Sequence, residues 1–174
     1  MALTKLNSAS VIERLPTGSV LQTKSFPLTS AITKPSANTN TFVDTGLSLA
    51  ITPTLASSKI LVMISAVVGN DVGTAHFRLV RDSTVINVGN SEGNRLQTSV
   101  SVRDTSSPYA LLMQEISINF LDNPSTTSET TYKLQCTNGA TYDGNIYINR
   151  SHNDDNADYG ARCTSNITLQ EIKQ

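Results

Sequence analysis

The sequence predicts an all-β protein: an antiparallel β-sandwich of jelly-roll type with a short N-terminal arm. Three observations lead there. Ser and Thr supply about a quarter of the 174 residues, Val, Ile and Asn are plentiful, and the helix formers Ala, Glu and Lys are sparse. Roughly eight to ten short segments alternate apolar with polar residues, the period of a half-buried strand. Gly, Asn, Pro and Asp punctuate them every ten to fifteen residues or so, a spacing typical of sandwiches and barrels and not of βαβ units.

Residues 1–17 read as an arm outside the main fold, closed by the turn-like "LPTGS", and 18–174 as one domain. "SVLQTKS" (19–25) is a first strand candidate, and the Ser-, Thr-, Pro- and Asn-rich "FPLTSAITKPSANTNT" after it is expected to be surface loop. "TFVDTGLSLAITP" extends with apolar Phe42, Leu47, Leu49 and Ile51, and Pro53 ends it. Ile60 to Val68 form the most hydrophobic segment, expected as a central strand buried on both faces. "AHFRLVRDSTVINVGN" reads as a hairpin turning at "DS", with Val85, Ile86 and Val88 returning, and "RLQTSVSVRD" as a further strand. In "YALLMQEISINFLDNP" the alternation of Ile116, Ile118 and Phe120 decides for strand over helix. Tyr132, Leu134 and Cys136 alternate before "NG", and Ile146 and Ile148 share one face with Tyr147 on the other. Ile167 and Leu169 point inward in the last strand. No internal repeat and no heptad pattern occurs.

Composition narrows the function classes. A net charge of −1 and a pI near 6.1 leave no basic face for nucleic acid, so no nucleic-acid partner is expected. No apolar run reaches the ~18 residues of a membrane span, so no membrane partner is expected. The N-terminal stretch lacks the apolar core of a secretory signal, and synthesis in a cytoplasm is expected. The two cysteines make no disulfide framework; Cys136 reads as a small core residue, and a bridge to Cys163 requires neighbouring strands.

The chemically loaded stretch is "INRSHNDDNADYGARC", Ile148 to Cys163. Asp154, Asn156 and Asp158 match the first three ligand positions of an EF-hand calcium loop, but Tyr159 stands where the glycine belongs and Ser165 where the bidentate Glu belongs. An EF-hand is excluded, a cation site of another kind on this loop is the minority reading, and no metal ligand and no cofactor is assigned. His152 with Asp154 or Asp155 has the composition of half a triad, yet no G-x-S-x-G elbow supplies a nucleophile. His76, between apolar strand residues, reads as a structural or interface histidine. The carboxylates sit in loops and at chain ends, so no catalytic residues are assigned and no enzymatic activity is expected. "NRS" at Asn149 and "NIT" at Asn166 are formal glycosylation sequons without a secretion signal to use them. The stretch is expected to be a strand-joining loop, fixed by its own Asp–Arg pairs or lying at a subunit contact. Arg150, His152, Asp154, Asp155, Asp158 and Arg162 are the inter-protomer candidates.

Four stretches carry a family resemblance: "FVDTGLSLAITPTLASSKILVMISAVVGN", "FRLVRDSTVINVGN", "NFLDNPSTTSETTYKLQC" and "YINRSHNDDNADYGARCTSNITLQEI". Together they resemble small virion structural and tail-fibre-like proteins of marine and cyanobacterial tailed phages, over about Gly18 to Ile172. The resemblance implies a jelly-roll virion protein exposed on the particle surface, a homotrimer, and no catalytic residues. Two functions fit it. One is a capsid decoration (cement) protein bound to the major capsid protein or another virion protein. The other is a tail-fibre or receptor-binding tip recognising a host-surface glycan or protein. For decoration, Leu3, Leu6, Val11, Ile12 and Leu15 of the arm are the expected capsid anchors. For receptor binding, Tyr109, Tyr142 and Tyr159 are the expected sugar-stacking aromatics.

Overall fold

The computed structural model describes residues 8–35, 40–71, 73–104, 111–139 and 144–174. A short helix, α1 (Ser8–Arg14), leads into β1 (Val20–Leu28), β2 (Ile32–Pro35), β3 (Val43–Ile51), β4 (Lys59–Asn70) and β5 (Gly73–Arg81). There follow β6 (Thr84–Ile86), β7 (Val100–Asp104), β8 (Gln114–Asp122), β9 (Thr130–Thr137), β10 (Asn145–Ile148) and β11 (Ser165–Ile172). Every pairing among the described residues is antiparallel.

Leaving aside the short β2, β6 and β10, the strands pair as a nest. First joins last (β1 with β11), β3 joins β9, β4 joins β8, and β5 joins β7 at the centre. Cross-pairs β11–β4 and β9–β5 merge the nest into two sheets, ordered β1-β11-β4-β8 and β3-β9-β5-β7. That order is a jelly roll, as the sequence predicts. β10 and β2 extend the first sheet beside the far end of β4, and β6 follows β7 along the outer edge of β5.

The alternation of the sequence sets the faces. Along β4, Ile60, Val62, Ile64, Ala66 and Val68 are buried, while Leu61, Met63, Ser65 and Val67 on the other side are half-exposed. Burial on both faces, expected from this apolar run, is therefore wrong, because the outer face of a two-layer sandwich meets solvent. From the same sheet Ile116, Ile118, Ile146, Ile148, Ile167 and Leu169 join that core. The opposing sheet contributes Leu47, Ile51, Ala75, Phe77, Leu79, Tyr132, Leu134 and Cys136. At one end of the core the Arg81 Nη1 donates to both oxygens of buried Asp122 (3.0 and 2.8 Å), which also accepts the Tyr132 hydroxyl (2.7 Å).

Three further expectations need correction. The stretch after Ser25 is not all loop: β1 runs on through Pro27 to Leu28, and β2 pairs Ile32–Pro35 with β10 although it ends in a proline. Poor strand propensity yields there to the ladder that β10 offers. The returning arm of the hairpin is short, since Asn87 takes a left-handed φ of 53° and ends β6 before Val88. β7 begins only at Val100. The expected "DS" turn is present, with Asp82 at φ 52° and its N–H donating to Thr131 O at 2.7 Å. "DTGLS" also has a structural reason. β3 bulges between Asp44 and Ser48, and Gly46, at φ 97°, sits where a Cβ would meet Ile32 Cδ1 at 2.9 Å.

Candidate functional site

The stretch 149–164 leaves β10 and returns as β11, closing over the end of β4. Its entry is fixed by Asn149, which is fully buried at φ 64°. The Asn149 Nδ2 donates to Leu28 O (2.7 Å) and Ser30 O (3.0 Å), and its Oδ1 accepts from Ser165 Oγ (2.6 Å). The Asn149 carbonyl accepts Cys163 N–H at 3.0 Å, closing the loop at its neck. The formal sequon at Asn149 is thus consumed by structure, while Asn166 is exposed on β11.

Within the loop, charge is paired locally. Arg150 stacks its guanidinium 4.1 Å from the centre of the Tyr147 ring and donates to Ser151 O, His152 O and Thr33 Oγ1 at 3.0, 3.1 and 2.7 Å. Asp154 lies between Arg150, at 3.9 Å, and Arg162, with which it forms a direct ion pair. The hydrogen bond from Arg162, then the charges of both arginines, hold the Asp154 carboxyl below its ordinary range. Beyond the pairs, Ala157 N–H donates to Asp155 O and Gly160 N–H to Ala157 O, both at 2.9 Å. A Cβ on Gly160 would stand 2.5 Å from Asp155 O, so only glycine permits this fold of the loop. Tyr159, 56% exposed, donates its hydroxyl to Asp155 Oδ2 at 3.2 Å, and Asp158 is exposed.

His152 does not partner the aspartates beside it in sequence. Its Nδ1 bonds Asp71 Oδ1 at the end of β4, and its ring meets Tyr147 edge-on at 5.6 Å. Asp71 Oδ2 also accepts from the backbone N–H and the Nδ2 of Asn145 (2.8 and 3.0 Å). Burial would push Asp71 up, but hydrogen bonds from Tyr147, Asn145 and His152 outweigh it and hold the carboxyl low. Burial, then Asp71, pushes the Tyr147 phenol up to about 12. Tyr147 lies on the face opposite Ile146 and Ile148, as the alternation predicts, yet it is buried beneath this loop. Among the described residues no three His, Cys, Asp or Glu side chains converge as a metal set, and no Ser or Thr hydroxyl bonds His152. What the arrangement provides is a stiff surface loop with a paired charge array.

The arm candidates divide. Leu3 and Leu6 lie outside the described residues. In and after α1, Val11 is 42% exposed, whereas Ile12 and Leu15 are half-buried. Lys173 ties the base of the arm down. Its Nζ donates to Glu13 O (2.9 Å) and Leu15 O, and its backbone exchanges bonds with Gly18 (2.8 Å) and Ser19 (2.9 Å). Of the aromatic candidates, Tyr109 and Tyr142 also lie outside the described residues. Both cysteines are free: Cys136 is in the core, and Cys163 lies 4.0 Å from the Met113 sulfur.

No protein-family model and no curated protein matches the chain. Among solved structures, one of infectious bursal disease virus, Gx strain, is similar at 10% identity and a TM-score of 0.41, covering 88% of this chain and 40% of that one. The VP2 subviral particle of infectious bursal disease virus is similar at 9% identity and a TM-score of 0.37, with the same coverage. This chain therefore spans well under half the length of those chains. Among the described residues no helix is long and apolar enough to cross a membrane.

Proposed function

We propose that this protein is a structural component of a phage virion, a decoration protein that sits on the outer capsid surface as a homotrimer and stabilises the shell. The observation that carries the reading is the arm. Its base is clamped to the body by Lys173, while Val11 turns an apolar side chain to solvent. An anchored segment with an outward apolar side chain is suited to docking on another protein surface. The four-stretch resemblance to phage virion proteins supports the setting, and the internally braced 150–163 loop is suited to fixing register between protomers. The reading assigns no catalysis.

Deleting residues 1–17 is expected to leave a folded trimer, by light scattering and circular dichroism, that no longer binds purified capsids; Val11→Asp should weaken binding in the same direction. Full decoration by the truncated protein would overturn the arm's role. The second reading, a receptor-binding tail tip, is favoured by Tyr159, held at the surface by a stiff loop. Gold-labelled antibody on intact virions separates the two: label over heads supports decoration, and label at tail tips overturns it.

A further inference from the structure

A cleft of about 490 Å³ opens on the outer face of the β3-β9-β5-β7 sheet. Thr74 and His76 on β5 and Ser101 on β7 line it from the sheet, and the 87–99 connection adds Asn94, Arg95 and Thr98. Asn40, before β3, and Asn138, after β9, complete its polar lining. Its volume falls within the ~300–1,000 Å³ usual for small-ligand sites.

The chemistry of the lining is specific. Among the described residues amides and hydroxyls dominate the lining, Arg95 is its one cation, and no carboxylate takes part. Burial pushes the His76 imidazole down from its ordinary pKa. Its Nδ1 shares a hydrogen bond with Ser101 Oγ (2.9 Å), which in turn meets Thr98 Oγ1 at 3.2 Å. Asn138 is 2% exposed. Its Nδ2 donates to Gly144 O at 2.6 Å, but its Oδ1 has no partner among the described residues. Buried acceptors are almost always satisfied in proteins, so an orphan beside an open cleft points to a donor supplied from outside. Gly139 borders the cleft at φ 74°, a backbone conformation that favours glycine, and a Cβ there would make only ordinary contacts with Asn40, Leu96 and His76 at 3.6–3.9 Å.

We propose that this cleft binds an uncharged saccharide. Sugar hydroxyls both donate and accept, and carboxamides and hydroxyls are the side chains that answer both demands. A phosphate or acidic ligand would be better matched by a cluster of cations than by Arg95 alone, and the volume of the cleft suits a small ligand. The inference is independent of where on a particle the protein sits.

The test applies full-length protein to a printed array of neutral, sulfated and carboxylated oligosaccharides, followed by calorimetric titration of the best neutral binder. Asn94→Ala, on the exposed connection, and Ser101→Ala, on the sheet, should each weaken binding about tenfold. For Asn94→Ala the thermal midpoint should stay unchanged. Three results would overturn the proposal: no array member bound, binding confined to the charged glycans, or both variants binding like the parent protein.

Discussion

Glu171 offers a sharp test of how the fold is held near the arm. It is fully buried on β11, and its Oε1 accepts the N–H groups of Thr54 (2.7 Å) and Leu55 (3.2 Å). Its Oε2 accepts Thr54 Oγ1 (2.9 Å) and Gln22 Nε2 (2.7 Å), and the same Gln22 amide donates to Thr52 O at 2.8 Å. Glu171→Gln preserves shape and turns one acceptor oxygen into a donor. The two backbone bonds to the remaining oxygen survive, and the Thr54 hydroxyl can rotate to accept. Gln22 cannot comply, because flipping its amide to accept would give up Thr52. One charge-assisted bond is therefore lost, at about 1.5–3 kcal/mol. For a chain of this size that is a fall of about 3–12 °C in the thermal midpoint at neutral pH. Burial would raise the carboxyl pKa, but hydrogen bonds from Gln22, Thr54 and Leu55 outweigh it and hold it below 4.5. A group whose folded pKa is depressed contributes stability above its unfolded pKa and loses it as pH falls through the folded value. Wild type and Glu171→Gln should thus converge in acid when melted side by side by circular dichroism. A midpoint unchanged at neutral pH, or a gap that stays constant into acid, refutes the reasoning.

Burial, aided by Asp44, pushes the Cys136 thiol up to about 12, so a thiol reagent at neutral pH should label Cys163 alone in folded protein and both cysteines in urea. Labelling of Cys136 at the rate of Cys163 under native conditions would contradict the core assignment. Asp154→Ala removes the bridge between Arg150 and Arg162. Because the carboxylate is solvent-exposed, the melting temperature should scarcely change, but trypsin should cut after Arg162 faster than in wild type. Equal cutting rates would mean that Asn149 and Gly160 alone hold the loop.

What the sequence discloses follows from how local each cause is. Ile116, Ile118, Tyr132, Leu134, Ile167 and Leu169 declare their faces through alternation, which needs only neighbours two residues away. β2 does not, because its strand character comes from β10, more than a hundred residues later. The nested pairing is equally hidden, since β1 and β11 stand at opposite ends of the chain. At the candidate loop, composition shows the Asp154–arginine pairs directly. The true partner of His152 is Asp71, 81 residues back, and no spacing rule could select it over Asp154 or Asp155. The cleft lies further out of reach: Asn40, His76, Asn94, Ser101 and Asn138 form no motif and meet only when the second sheet closes.

The ladder between β1 and β11 matters beyond topology. The arm enters β1 at its first residue, and β1 is hydrogen-bonded to β11 from Val20–Ile172 to Leu28–Ser165. A pull on the arm along the axis of β1 strains those rungs together instead of opening them one at a time, because their bonds lie across the strand direction. Lys173, bonded to Glu13, Leu15, Gly18 and Ser19, adds a stop at the point where the force enters. A protein tethered by this arm to a shell that swells or carries internal pressure would meet the load in shear, the direction in which a β ladder yields last.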